Sequence, residues 1–167
     1  MDDVITTSRY IVGLAQAAVA DLDDSHLAQE PTPRIKTAGW LIGHLVMTGD
    51  FGRVLCGREP LLEPRWVRSF APGTKPSLRR EDYPSMAVLK ELFDGVYADL
   101  SPAARLASPT TFAEPNPYEP ARGAFPSKGD FVVYIMTGHL GYHLGQLNAW
   151  RTAAGLAIGT SQDGMAA

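Results

Sequence analysis

The chain has 167 residues, 45% hydrophobic and 20% charged, with a formal net charge of -3 and a pI near 5.8. That length suits one domain with a full core, expected over residues 1–167. The acidic balance argues against nucleic acid as a partner, no run of 18 apolar residues offers a membrane span, and the lone Cys56 can form no internal disulfide; with the acidic start MDDVITTSRY, a cytoplasmic location is expected.

The first helix is predicted from about Asp3 to Leu22, because Ile11, Leu14, Ala15, Ala18, Val19 and Leu22 recur at helical spacing. Pro31 and Pro33 break the linker HLAQEPTPRIK. The second helix is TAGWLIGHLVMTGDFGRVLCG, with Thr37 as N-cap and Gly57 as its stop. At 100° per residue, Trp40, Leu41, Thr48, Phe51 and Leu55 share the face of His44. His44 therefore projects into an apolar stripe.

From Arg58 to Tyr83 the chain is punctuated by Pro60, Pro64, Pro72 and Pro76 and reads as a long loop, the kind that often covers a site. A third helix begins near PSMAVLKEL, capped by Ser85, and runs to about Leu100; Ser101-Pro102 then restarts a short turn. A second Pro-rich loop, SPTTFAEPNPYEPARGAFPS, leads to SKGD, where Ser127 and Asp130 have capping-box spacing. The fourth helix is predicted to continue to about Ala154, ended by Gly155. FVVYIM is β-prone but runs on at helical period, so no strand is predicted and the chain reads as all-α.

Within the fourth helix, GHLGYHLGQLNAWR places His139 and His143 four residues apart, hence on one side. Val132, Ile135, Gln146, Leu147 and Trp150 share or flank that side, which is the inner one. A buried neutral histidine must satisfy both a donor and an acceptor. The residues alone leave two readings open: core histidines with ordinary partners, or metal ligands. His44 strengthens the second, since three protein ligands with an open position is the pattern of a catalytic metal site. His26, among the acids of DLDDSHLAQEP, reads as a surface histidine.

Gly138, Gly141 and Gly145 project from the opposite side, near Tyr134, Ala149 and Thr152. Each interior glycine costs about 1 kcal/mol relative to alanine, so a close helix contact is expected there, within the chain or in a homodimer. Tyr142 flanks His139 and is a pocket candidate, as is Trp40. Asp50 points away from the histidine face and reads as solvated or as packing of the second helix. Cys56 reads as a spectator, and Glu114, Tyr118 and Glu119 as ordinary loop residues.

The segments GWLIGHLVMTGDF, FAPGTKP, YPSMAVLKELF and GHLGYHLGQLNAWRTAAGL together resemble the DinB/YfiT-like superfamily from about Pro33 to Gly155. The resemblance implies a four-helix bundle with long Pro-rich connecting loops, commonly a homodimer. It implies a divalent metal ion, nickel or zinc, held by His44, His139 and His143, which match the three histidine positions one by one. Gln146 and Arg151 also match typical positions, where they would orient ligands or support packing. The activity implied is that of a small metalloenzyme acting on an unidentified small-molecule substrate: a transferase using a low-molecular-weight thiol, or a metal-dependent hydrolase. The alternative is a metal- or ligand-binding module without turnover.

Overall fold

A computed structural model of the chain describes residues 1–159; the last part of the expected domain, residues 160–167, lies outside them. Helix α1 spans Asp2–Val19. It stops short of the predicted Leu22 because Asp23 caps a new 3-10 turn, Asp24–His26, accepting from the Ser25 amide at 2.9 Å. Leu22 is still buried, so the apolar face extends past the helix end.

Helix α2 (Ala38–Leu55) starts where Thr37 accepts from the Trp40 amide at 3.2 Å, and the chain leaves it through Gly57 at φ 89°. The predicted cap and stop both hold. Buried on nearly all sides, α2 packs against α3 (Arg65–Phe70), α4 (Met86–Leu106) and α7 (Leu140–Ala153). Helix α1 packs against α4 and α7. Among the described residues the secondary structure is helical and holds no strand; one isolated bridge joins Pro115 and Ser127.

Several expectations change. Helix α3 interrupts the stretch read as loop: its six residues are too few for periodicity to reveal. Helix α5 (Pro109–Ala113) does the same in the second Pro-rich stretch, capped by Ser108. Helix α4, capped as predicted by Ser85, does not end near Leu100 but runs unbroken through Pro102. The buried series Leu89, Phe93, Val96, Leu100 and Ala104 continues across the proline, and that packing outweighs the one hydrogen bond proline forfeits.

Close helix packing is admitted by glycines of α2 rather than by the three glycines of the histidine segment. A Cβ on Gly49 would stand 2.5 Å from Val96 of α4, and one on Gly43 would overlap the Phe70 ring. Among the described residues, a Cβ on Gly141 or Gly145 would have no neighbour within 4 Å, and one on Gly138 would meet the Tyr134 ring of the same helix. Of the two contacts expected at those three glycines, the one within the chain is not formed among the described residues.

The last helix is also not uniform. Helix α6 (Lys128–Tyr134) opens with the predicted box: Ser127 Oγ accepts from the Asp130 amide, and the Asp130 carboxylate accepts from the Ser127 amide, each at 3.1 Å. A π turn, Ile135–His139, then joins it to α7. A π turn closes one residue later than an α turn, so residues five apart come to stack. On a straight α-helix Tyr134 would lie nearly opposite His139. The widened turn brings the Tyr134 ring to 5.6 Å from the His139 ring, edge to face, which corrects the side assigned to it from the sequence.

Candidate metal centre

Three imidazoles meet where α2 faces the π turn and the start of α7. One ring nitrogen from each of His44, His139 and His143 lies within 4.8 Å of the others. His44 and His143 are buried and His139 is half-buried. Two of the rings are oriented from behind. His44 Nδ1–H donates to the Phe70 carbonyl at 2.6 Å. A carbonyl can only accept, so in the neutral ring the lone pair sits on Nε2. His143 Nδ1–H donates to Gln146 Oε1 at 2.8 Å, and Gln146 Nε2 donates onward to the Tyr142 hydroxyl at 3.1 Å. His143 Nε2 is thus left free as well.

His44 Nε2 lies 3.1 Å from His139 Nε2, while the buried His139 Nδ1 has no partner among the described residues. His44 Nε2, bare in this tautomer, accepts from His139 Nε2–H; with that proton moved to Nδ1, His139 would turn a third lone pair toward the other two. Three converging lone pairs repel one another unless a cation stands among them, and neutral imidazole nitrogens suit a borderline divalent ion. The donor set fits such an ion.

Electrostatics keeps these rings neutral. Burial is the first cause for all three. It pushes His139 down to about 3, helped by repulsion from His143 and His44. His143 falls to about 4 by burial and His44, with the Gln146 bond partly opposing. His44 is lowered as well, against the Phe70 carbonyl bond. A neutral imidazole needs no deprotonation before it ligates.

A sequence model described as the DinB superfamily matches residues 13–147. The chain belongs to the DinB superfamily. No curated protein and no solved structure matches it. In this DinB-family chain the match takes in all of α2 and the first half of α7, so the three imidazoles all lie within the family's span.

Around the three histidines of this DinB-family chain, other sequence candidates find definite places. Trp40 stacks flat on His44, ring centroids 4.8 Å apart at 8°, and its indole N–H donates to Thr74 Oγ1 at 2.9 Å. Thr74 and Phe70 both belong to FAPGTKP, so this loop holds two of the side chains at the centre. Nothing in the sequence announced that role, because the contact to His44 is a backbone carbonyl. Tyr142 is exposed but lies edge-on to His143 at 5.1 Å.

Elsewhere the reading needs correcting. Asp50 is not solvated: it is buried, pairs with Arg53 at 2.6 Å, and accepts from the Leu61 and Leu62 amides, tying down the segment after α2. Tyr118 is more than a loop residue, since it stacks on Phe131 in the wall of the adjoining cavity. Glu114 pairs with Lys128 instead. Arg151 supports packing: it grips the Asp21 carboxylate with two nitrogens and the Ala18 carbonyl with one, holding Asp21 below the usual carboxylate range. His26 is half-buried, its Nδ1 accepting from the Asp23 amide and its ring edge-on to Trp150. Burial pushes the Cys56 thiol up to about 11, which suits a spectator. No helix among the described residues is long and apolar enough to cross a membrane.

Proposed function

We propose that His44, His139 and His143 hold a divalent metal ion, nickel or zinc, and that the protein is a small metalloenzyme of the transferase or hydrolase type. The observation that carries this is the convergence of three neutral imidazoles, two of them fixed in the Nε2-free tautomer by acceptors behind them. A metal ion held there supplies Lewis-acid chemistry, polarising a carbonyl or acidifying water or a thiol. The chain's own part is to orient the imidazoles through Phe70 and Gln146, to stack Trp40 against His44, and to keep water away with the apolar wall beside them. A low-molecular-weight thiol belongs to the transferase form of this proposal.

One observation favours a second reading, a binding module without turnover. Among the described residues, the carboxylates lining the cavity are Asp50 and Glu63. Asp50 is engaged by Arg53 and two amides, and Glu63 is exposed and paired with Arg65. Neither stands ready as a general base.

Nickel- or zinc-loaded protein offered thiol-conjugation and hydrolysis substrates, with His44→Ala as control, separates the two. Turnover that depends on His44 supports the enzyme, and metal uptake without turnover supports the module.

The same proposal takes residues 1–167 as one domain, a four-helix bundle formed by α1, α2, α4 and the α6–π–α7 rod, and as half of a homodimer. The open strip at Gly141 and Gly145 supports the dimer, since a second backbone could approach there. A cytoplasmic setting is part of the proposal, in keeping with the lone reduced thiol of Cys56.

A further inference from the structure

A cavity of about 800 Å³ opens beside the histidines. That is near the upper end for small-molecule sites, roughly 300–1,000 Å³. Met47, Phe51 and Val54 of α2 form one wall, and Phe131, Tyr134 and Ile135 of the last helix another. Leu62, Pro64 and Trp66 come from the stretch after α2. Among the described residues no lysine or arginine lines it.

Most polar atoms on its wall are already committed. Thr48 Oγ1 donates to the His44 and Leu45 carbonyls, the Trp40 indole N–H to Thr74, and the Asp50 carboxylate is filled by Arg53 and two amides. The Tyr118 and Tyr134 hydroxyls and the Trp66 indole N–H are left without a hydrogen-bond partner among the described residues, with the exposed Tyr142 at the mouth. Val67 also lines the cavity and is 57% exposed, so an apolar path leads from solvent to the histidines.

We propose that this cavity takes an uncharged ligand with an apolar, aromatic-compatible body and a single metal-ligating head. The head-group half rests on the metal reading above; the body half does not. Away from the triad, a charge on the body would lose its hydration with no lysine or arginine on the described wall to replace it. A ligand dense in hydroxyls would bury donors and acceptors that this wall cannot pair. One soft or polar atom directed at the imidazoles, with the rest apolar, satisfies both the wall and the triad.

Calorimetry on metal-free and nickel-loaded protein tests the proposal with four probes: 2-naphthylmethanol, 2-naphthylmethanethiol, 2-naphthoate and glutathione. On metal-free protein the alcohol should bind at least tenfold more tightly than naphthoate. Nickel should tighten the naphthyl thiol at least tenfold and leave glutathione at least tenfold weaker than it. Val54→Trp, which fills the cavity, should weaken the alcohol at least tenfold with nickel uptake unchanged; Val67→Glu, an exposed change at the mouth, should weaken it severalfold. Glutathione matching the naphthyl thiol, or an alcohol that fails to bind while nickel uptake is normal, overturns the proposal. Alcohol binding with no nickel effect on the thiol overturns the head-group half, through the metal reading, and supports the body half. Parent-like alcohol binding in both variants places the ligand elsewhere and also overturns it.

Discussion

Asp50→Ala should destabilise the protein far more than loss of a surface acid would. The Asp50 and Arg53 side chains are 6% and 7% exposed, so each is buried against the other. Removing one partner of a buried pair costs about 3–5 kcal/mol, because the remaining charge is left uncompensated. Arg53 keeps a second carboxylate, Asp99 at 2.7 Å, which is 34% exposed. That reduces the electrostatic loss to about 2 kcal/mol, since a partly hydrated partner compensates only in part. The Leu61 and Leu62 amides, bonded to Asp50 at 3.1 Å, also lose their acceptor. At about 0.5–1 kcal/mol each, they bring the total to about 3 kcal/mol. Urea unfolding of metal-free protein at pH 7 measures it, with Asp99→Ala as the comparison, expected near 1 kcal/mol. Amide exchange at Leu61 and Leu62 should quicken in the Asp50 variant. A loss below 1 kcal/mol for Asp50→Ala, or a larger loss for Asp99→Ala, would refute the account of Asp50 as the tether of this segment.

Other consequences concern the triad and the open strip. In metal-free protein His139 and His143 titrate near 3 and 4, and His44 is also lowered, against an unfolded value near 6.5. Below about pH 6.5 the unfolded chain binds more protons, so this stabilisation is fully present above that pH and is lost as pH falls toward the folded values. Urea unfolding between pH 7.5 and 5 should show a decline approaching about 1.4 kcal/mol per unit for each such histidine; equal stability at both ends would contradict it. Gln146→Leu removes the acceptor behind His143 and should weaken nickel binding about 10–100-fold in competition titrations, with little change in fold by circular dichroism. A Cβ at Gly141 meets no atom of the described residues, so Gly141→Leu starts from open space. It should leave the monomer folded while shifting sedimentation from twice the chain mass toward the chain mass, and a parent protein that is strictly monomeric at high concentration would dismiss the dimer.

The helices were legible where polar caps and apolar periodicity coincide. Thr37, Ser85 and the Ser127–Asp130 box mark starts that the structure keeps. Legible too was the meeting of His44 with His139 and His143, because all three lie on apolar faces of long helices. What escaped has physical causes. The π turn leaves no periodic signature in a run as apolar as FVVYIM, so Tyr134 was assigned to the wrong side. Short α3 carries Phe70, whose carbonyl orients His44, and a backbone acceptor has no sequence code. Of the two readings of Asp50, packing on the second helix holds through Arg53 three residues on and the solvated one fails, because helical angle alone ignores a tertiary segment folding back to meet it. The glycines of the last helix drew attention by their number, whereas Gly43 and Gly49 matter through what approaches them.

The central claim is that three imidazoles hold a metal. Its most direct test is the metal content of untagged protein after loading with nickel or zinc and desalting, compared with His44→Ala and His139→Ala. The account predicts about one ion per chain for the parent, the fewest a single three-imidazole site can hold, and a loss of at least tenfold in affinity for each variant. No retained metal in the parent, or uptake unchanged by either substitution, would contradict it.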